Sequence, residues 1–163
     1  MNRLVFIVFI FISNISYSQF IDYVEHSNNK KFKYHEKNCV QYLHSLLVGY
    51  DKSLISDTKF KQEVFITKDV KDYSKESGVC EALVKRGKAN YTKKPVRGDI
   101  FQFWIIMNGW KPSGHCGVIK EVLGNNKYLI ISSYNESGCN GYCESVMDIK
   151  DMQISYIWFV HLI

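Results

Sequence analysis

From Asn38 onward the apolar positions Val40, Leu43, Leu46 and Leu47 recur at intervals of three and four, the spacing that puts side chains on one face of a helix. A helix from about Cys39 to Val48 is expected, with Gly49 as its stop. Residues 57–73 are charged and hold one short apolar run, Val64–Ile66, that fits a strand or a helical turn. Ser77 reads as the cap of a second helix through Val79, Leu83 and Val84, ended by Gly87. Beyond Gly87 the period changes. Residues 100–107, 117–122, 128–133 and 154–162 are β-rich runs, and the first three are separated by turn clusters at Asn108-Gly109, Pro112-Ser113-Gly114 and Gly124-Asn125-Asn126. Helices first and an antiparallel meander second is the order of an α+β fold.

The first line of sequence follows a different pattern. Met1, Asn2 and Arg3 form a short positive region, residues 4–12 are unbroken apolar, and residues 13–18 are polar with small serines at 16 and 18. This is the three-part form of a secretory signal peptide, with cleavage expected between Ser18 and Gln19. The apolar stretch is well short of the roughly 20 residues that span a bilayer. The expectation is a secreted or periplasmic chain, residues 19–163 forming one domain.

Composition narrows the class. With 46% hydrophobic residues, 10 Gly and 2 Pro in 163 positions, the chain is neither disordered nor collagen-like. Its 21 Lys and Arg against 16 Asp and Glu give a mild positive balance, which suits contact with anionic cell-wall polymers or membrane surfaces. The lysines are scattered among acids, so no nucleic-acid footprint is expected. Five cysteines is an odd number. In an oxidising compartment at least one thiol then lacks an intramolecular partner.

Cys39 is the cysteine with a chemical environment legible in the sequence. It follows Asn38, a good N-cap residue, and opens the first helix, where the positive end of the helix favours thiolate over thiol. A nucleophilic thiolate needs a base. Of the five histidines, His115 follows the turn ending at Gly114 and begins a strand, a position that fixes its backbone while the ring faces the sheet end. The far end of the next strand, at Asn135 or Glu136, is the expected source of a group that orients the ring.

Three segments in this order, Asn38-Cys39-Val40-Gln41-Tyr42, then Arg97-Gly98-Asp99-Ile100-Phe101, then Gly114-His115-Cys116-Gly117-Val118-Ile119, resemble the papain-like cysteine amidases of bacterial cell walls. That superfamily includes the NlpC-type peptidases and the cysteine, histidine-dependent amidohydrolase/peptidase (CHAP) group. The resemblance runs from about Lys33 to the C-terminus. It implies a papain-like α+β fold, N-terminal helices packed on an antiparallel sheet, with Cys39 as nucleophile and His115 as base. It also implies hydrolysis of an amide bond in peptidoglycan without metal or cofactor. CHAP-type proteins carry a Glu and, two residues on, an Asn in the strand after the His; here Ser133 stands in the first place and Asn135 in the second. Asn135 is therefore the expected orienter and Glu136 the alternative. The backbone N–H of Cys39 is the expected oxyanion donor, with Tyr34 as a side-chain alternative.

The other cysteines are Cys80, Cys116, Cys139 and Cys143. Three pairings are open: Cys139 with Cys143 would close a small loop and leave Cys80 with Cys116, the latter two being equally acceptable as free buried thiols. A zinc site from His115, Cys116, Cys139 and Cys143 is disfavoured, because adjacent strand residues point to opposite faces. By the same rule Cys116 is expected to face the layer behind the site. Trp110, in the loop before His115, and Tyr134 are the expected substrate-binding aromatics. Two further readings stay open: a secreted binding or inhibitory module of the same fold, and an interbacterial amidase toxin with an immunity or inhibitor protein as partner. A monomer is expected.

Overall fold

The computed structural model describes residues 19–27, 30–55, 72–136 and 138–163. The expected signal peptide and residues 57–71 of the ambiguous segment, with its Val64–Ile66 run, lie outside these. Residues 19–26 are helical and are termed α1. Then follow α2 (Cys39–Tyr50), a 3-10 turn (Lys52–Leu54), α3 (Val79–Lys85), and strands β1 (Ala89–Thr92), β2 (Ile100–Ile105), β3 (Ser113–Gly124), β4 (Lys127–Glu136), β5 (Cys139–Asp148) and β6 (Tyr156–Leu162).

α2 starts where a local signal dictates. The Asn38 side chain accepts from the Gln41 N–H at 3.0 Å while Gln41 Oε1 accepts from the Asn38 N–H at 2.9 Å, a reciprocal cap that satisfies two otherwise orphaned donors. The helix runs past Gly49 to Tyr50. Gly49 is not a stop: a Cβ there would collide with the Tyr23 hydroxyl, so the glycine serves close approach of α1. Ser77 does not cap α3 either. Gly78, at φ 50°, takes the N-cap position without a side-chain bond, and Ser77 Oγ bonds to the Tyr91 hydroxyl at 2.7 Å. Gly87 does follow α3 at φ 64°, as expected of a helix end.

The six strands form one antiparallel sheet in the order β1-β6-β2-β3-β4-β5. The β3–β4 hairpin turns on Asn125 and Asn126, both at positive φ, which Asn tolerates better than most residues. One face of the sheet packs on the helices through a core that includes Leu43, Leu46, Leu47, Leu83, Cys116, Val118 and Ile131. The other face carries Phe101, Phe103, Ile119, Tyr128, Ile130, Met147 and Phe159, against which Ile149, Met152 and Ile154 pack. Both faces are thus covered, which is why β2 is buried along nearly its whole length instead of alternating. Among the described residues no helix is long and apolar enough to cross a membrane.

Candidate active site

Cys39 is the first residue of α2, and its side chain is 8% exposed. As the first helical residue its N–H has no partner within the helix. Two consecutive β3 residues, Cys116, wholly buried on the helix-facing side, and His115, favour its thiolate, Cys116 more strongly. Together they hold the Cys39 thiol well below its ordinary range despite the opposing effect of burial. Cys116 is driven the other way, by the charge on Cys39 and by burial.

The His115 ring is set among aromatics. It lies 4.2 Å from the Tyr134 ring, 5.6 Å from Phe103 and 6.2 Å from Phe101, centroid to centroid. Phe103 is its cross-strand partner and Tyr134 comes from β4. Glycines on either side fit this strand to its neighbours. At Gly114 a Cβ would strike the Trp104 ring, and at Gly117 it would strike the Ile131 carbonyl. His115 Nε2 is buried with no hydrogen-bond partner among the described residues.

A cavity of about 330 Å³ opens over this ring, lined by Tyr34, Ser113, His115, Tyr134, Asn135 and Met152 among others. It continues into a larger space of about 710 Å³, with Tyr134, Glu136 and Met152 common to both and Tyr142 and the Cys139–Cys143 pair on the far side. Cys39 does not line either cavity, and His115 lines the smaller one. Tyr34 lines the first cavity and lies within the field of both Cys39 and Cys116; burial chiefly, and that field, raise its hydroxyl pKa.

The loop that delivers Cys39 is fastened to the β4–β5 hairpin. The Tyr34 N–H donates to Asn140 Oδ1 at 2.9 Å, Ser133 Oγ donates to the Lys37 carbonyl at 2.6 Å, and Gly141 lies flat under the Phe32 carbonyl, where a Cβ would not fit. Ser133, in the place where the resembled group carries a Glu, thus holds the approach to α2. Cys139 and Cys143 are bridged with Cα atoms 6.1 Å apart. They belong to β5, whose Gly141 between them has φ 114°. Cys80 and Cys116 are not paired; they and Cys39 are free.

The structure therefore brings Cys39, His115 and Tyr134 together. Asn135 lines the cavity but is exposed, pairs in the sheet with Asn140, and leaves His115 Nε2 unpartnered. Glu136 is likewise exposed on the rim. Trp110 is 74% exposed at the tip of the β2–β3 loop and is not among the cavity residues. Sequence reasoning missed the role of Cys116. Strand alternation sends it to the helix layer, and that layer is where the Cys39 sulfur lies. Among the described residues no group of three or more His, Cys, Asp or Glu side chains converges as metal ligands would. Set against protein-family models, curated proteins and solved structures, the chain matches none.

Proposed function

We propose that the protein is a papain-like cysteine hydrolase acting outside the cytoplasm on an amide bond of bacterial peptidoglycan, within the stem peptide or between glycan and peptide. The observation that carries this reading is a thiol at a capped helix N-terminus, Cys39, held well below its ordinary range by Cys116 and by His115. In the proposed reaction the Cys39 thiolate attacks the carbonyl carbon, His115 protonates the departing amine, and water then hydrolyses the thioester. The Cys39 N–H, unused within its helix, is aimed where a helix end stabilises a developing oxyanion. Tyr134 is the wall on which a substrate stem lies, and Trp110 extends the binding surface outward.

The test is incubation of the purified protein with peptidoglycan sacculi. Soluble fragments are expected from the natural chain and none from Cys39→Ala or His115→Ala. Undiminished release by Cys39→Ala would falsify the mechanism.

One observation favours a second reading, a binding or inhibitory module of the same fold. Cys39 is nearly buried, and the cavity presents His115 and aromatic side chains instead of the sulfur. Iodoacetamide separates the two readings. A hydrolase site predicts fast labelling of Cys39 near neutral pH, and a binding module predicts an unreactive Cys39 with sacculi retained but uncut.

A further inference from the structure

The proposed hydrolysis leaves the bridged cysteines of β5 without a task. Between them stand Asn140, Gly141 and Tyr142, and all three touch the segment that leads into α2. Asn140 Oδ1 accepts the Tyr34 N–H at 2.9 Å. Gly141 lies under the Phe32 carbonyl with no room for a Cβ, and the Tyr142 ring carries Lys30 Nζ at 5.2 Å from its centroid. Residues 30, 32 and 34 thus meet 142, 141 and 140 in reverse order. Tyr142 reaches further, edge-on to the Tyr42 ring of α2 with centroids 6.3 Å apart. Cys39 lies at the end of this anchored segment.

The bridge holds these three residues in place. Four positions along a regular strand rise about 13 Å, whereas the Cα atoms of Cys139 and Cys143 are 6.1 Å apart. This stretch of β5 is therefore kept well short of its extended length, and Asn140 and Gly141 are presented to the segment in that form. The bridge is also within reach of small molecules. Both cysteines line the cavity of about 710 Å³, and accessible bridges are the ones that exchange with thiols.

We propose that the Cys139–Cys143 bridge is a reducible brace: closed, it fixes the segment that delivers Cys39, and opened by a dithiol, it releases that segment and switches the nucleophile off. In the first step a thiolate of the dithiol attacks one sulfur of the bridge. The S–S bond breaks, a mixed disulfide forms, and the other protein sulfur leaves as a thiolate that takes a proton from water. The second thiolate of the reductant then attacks the reductant's own sulfur in the mixed disulfide, and the remaining protein thiolate leaves and is protonated in turn. Two electrons pass to the protein, which ends with two thiols, and the reductant ends as a disulfide. A disulfide oxidant runs the exchange backward. Residues 139–143, once free to extend, give up their contacts with residues 30–34. As regulation, the switch rests on the proposed hydrolase activity; the brace itself does not.

The experiment follows backbone hydrogen exchange of the full-length protein by mass spectrometry before and after dithiothreitol, with iodoacetamide labelling to show that Cys139 and Cys143 have become thiols. Expected on reduction is exchange faster by roughly tenfold or more in the peptide covering residues 32–38, while peptides of α3 and β6 keep their rates. Cys139→Ser/Cys143→Ser, which forms no bridge, is expected to show the fast pattern with or without dithiothreitol. Unchanged exchange at residues 32–38 with both thiols labelled overturns the proposal. Acceleration spread equally over α3 and β6 also overturns it, since the bridge is then a staple of the whole fold. Sacculus cleavage is followed in parallel. A fall of up to about 100-fold on reduction, restored by oxidised glutathione, supports the switch. Cleavage that persists while residues 32–38 loosen overturns the switch. No cleavage in either state overturns the hydrolase reading, and the exchange rates alone then decide the brace.

Discussion

The His115 ring lies against Tyr134 with centroids 4.2 Å apart and planes inclined by 33°, while its Nε2 is buried and unpartnered among the described residues. In the proposed hydrolase a polar third residue would be the ordinary means of orienting the imidazole. Here the orientation comes from aromatic packing, with Tyr134 on one side and Phe103 in the cross-strand position. Tyr134→Ala is expected to lower sacculus cleavage by up to about 100-fold, the scale of a small misplacement of reacting groups. Tyr134→Phe keeps the ring and should retain most of the activity. Asn135→Ala should change the rate little. An Asn135→Ala loss as deep as that of Tyr134→Ala would return the orienting role to the amide.

Cys116 chiefly, and after it His115, lower the Cys39 thiol against the opposing effect of burial. Iodoacetamide labelling of Cys39 should therefore persist well below the pH at which an ordinary thiol stops reacting, and fall only on further acidification as the thiolate is protonated. Cys116→Val removes the stronger of these influences and should move the midpoint of the labelling profile upward. Cys116→Ser retains a donor and should hold the midpoint low. Identical profiles for the Val and Ser variants would show that a donor at this position does not set the thiolate.

Gly114 admits the Trp104 ring, which is buried and anchored through Nε1 to the Glu76 carbonyl at 2.7 Å. Gly114→Ala places a methyl group in that ring, and the expected cost is about 1–3 kcal/mol, as for other overpacked cores. Urea unfolding followed by Trp fluorescence measures it. Because the strain falls one residue before His115, activity should decline further than the loss of folded protein accounts for.

Asp99 is wholly buried at the entrance to β2, bonded to the His161 ring and accepting the Val96 N–H at 2.7 Å. Burial outweighs these bonds and raises its carboxyl to about 6. Its folded value lies above the unfolded one, so the folded state holds a proton that the unfolded chain releases between about pH 4 and 6. This group's contribution favours folding most on the acid side and is lost as pH rises through that window, by roughly 2–3 kcal/mol in full. Asp99→Asn should remove that part of the slope in a series of urea midpoints from pH 4 to 7. An unchanged slope would place the titration elsewhere.

These expectations separate what is local from what is not. The start of α2 at Cys39 is written in adjacent residues, because the Asn38–Gln41 cap and the recurrence of Leu43, Leu46 and Leu47 act within one helix. The strands around His115 and Ile130 are legible for the same reason, their β-rich runs being bounded by Asn and Gly turns. β5 was not legible. Residues 139–148 hold Cys, Asn, Gly and Ser with no apolar alternation, and they become a strand because β4 offers a full ladder to pair with. Gly49 and Ser77 look like helix punctuation, yet their roles depend on Tyr23 and Tyr91, far away in sequence.

The same division runs through the site. Sequence by itself determined that a helix would open on a cysteine and that a histidine would ride on a strand after a glycine turn, since caps, periods and turns act over a few residues. Only the tertiary structure decided which groups those two meet. The packing of α2 on β3 puts Cys39 and Cys116 in one buried core, and the β3–β4 pairing carries Tyr134 onto His115 while Asn135 remains at the rim. Contacts between residues tens of positions apart follow from how elements stack, and that stacking is chosen by the burial of whole faces, a sum over the chain that no local pattern records.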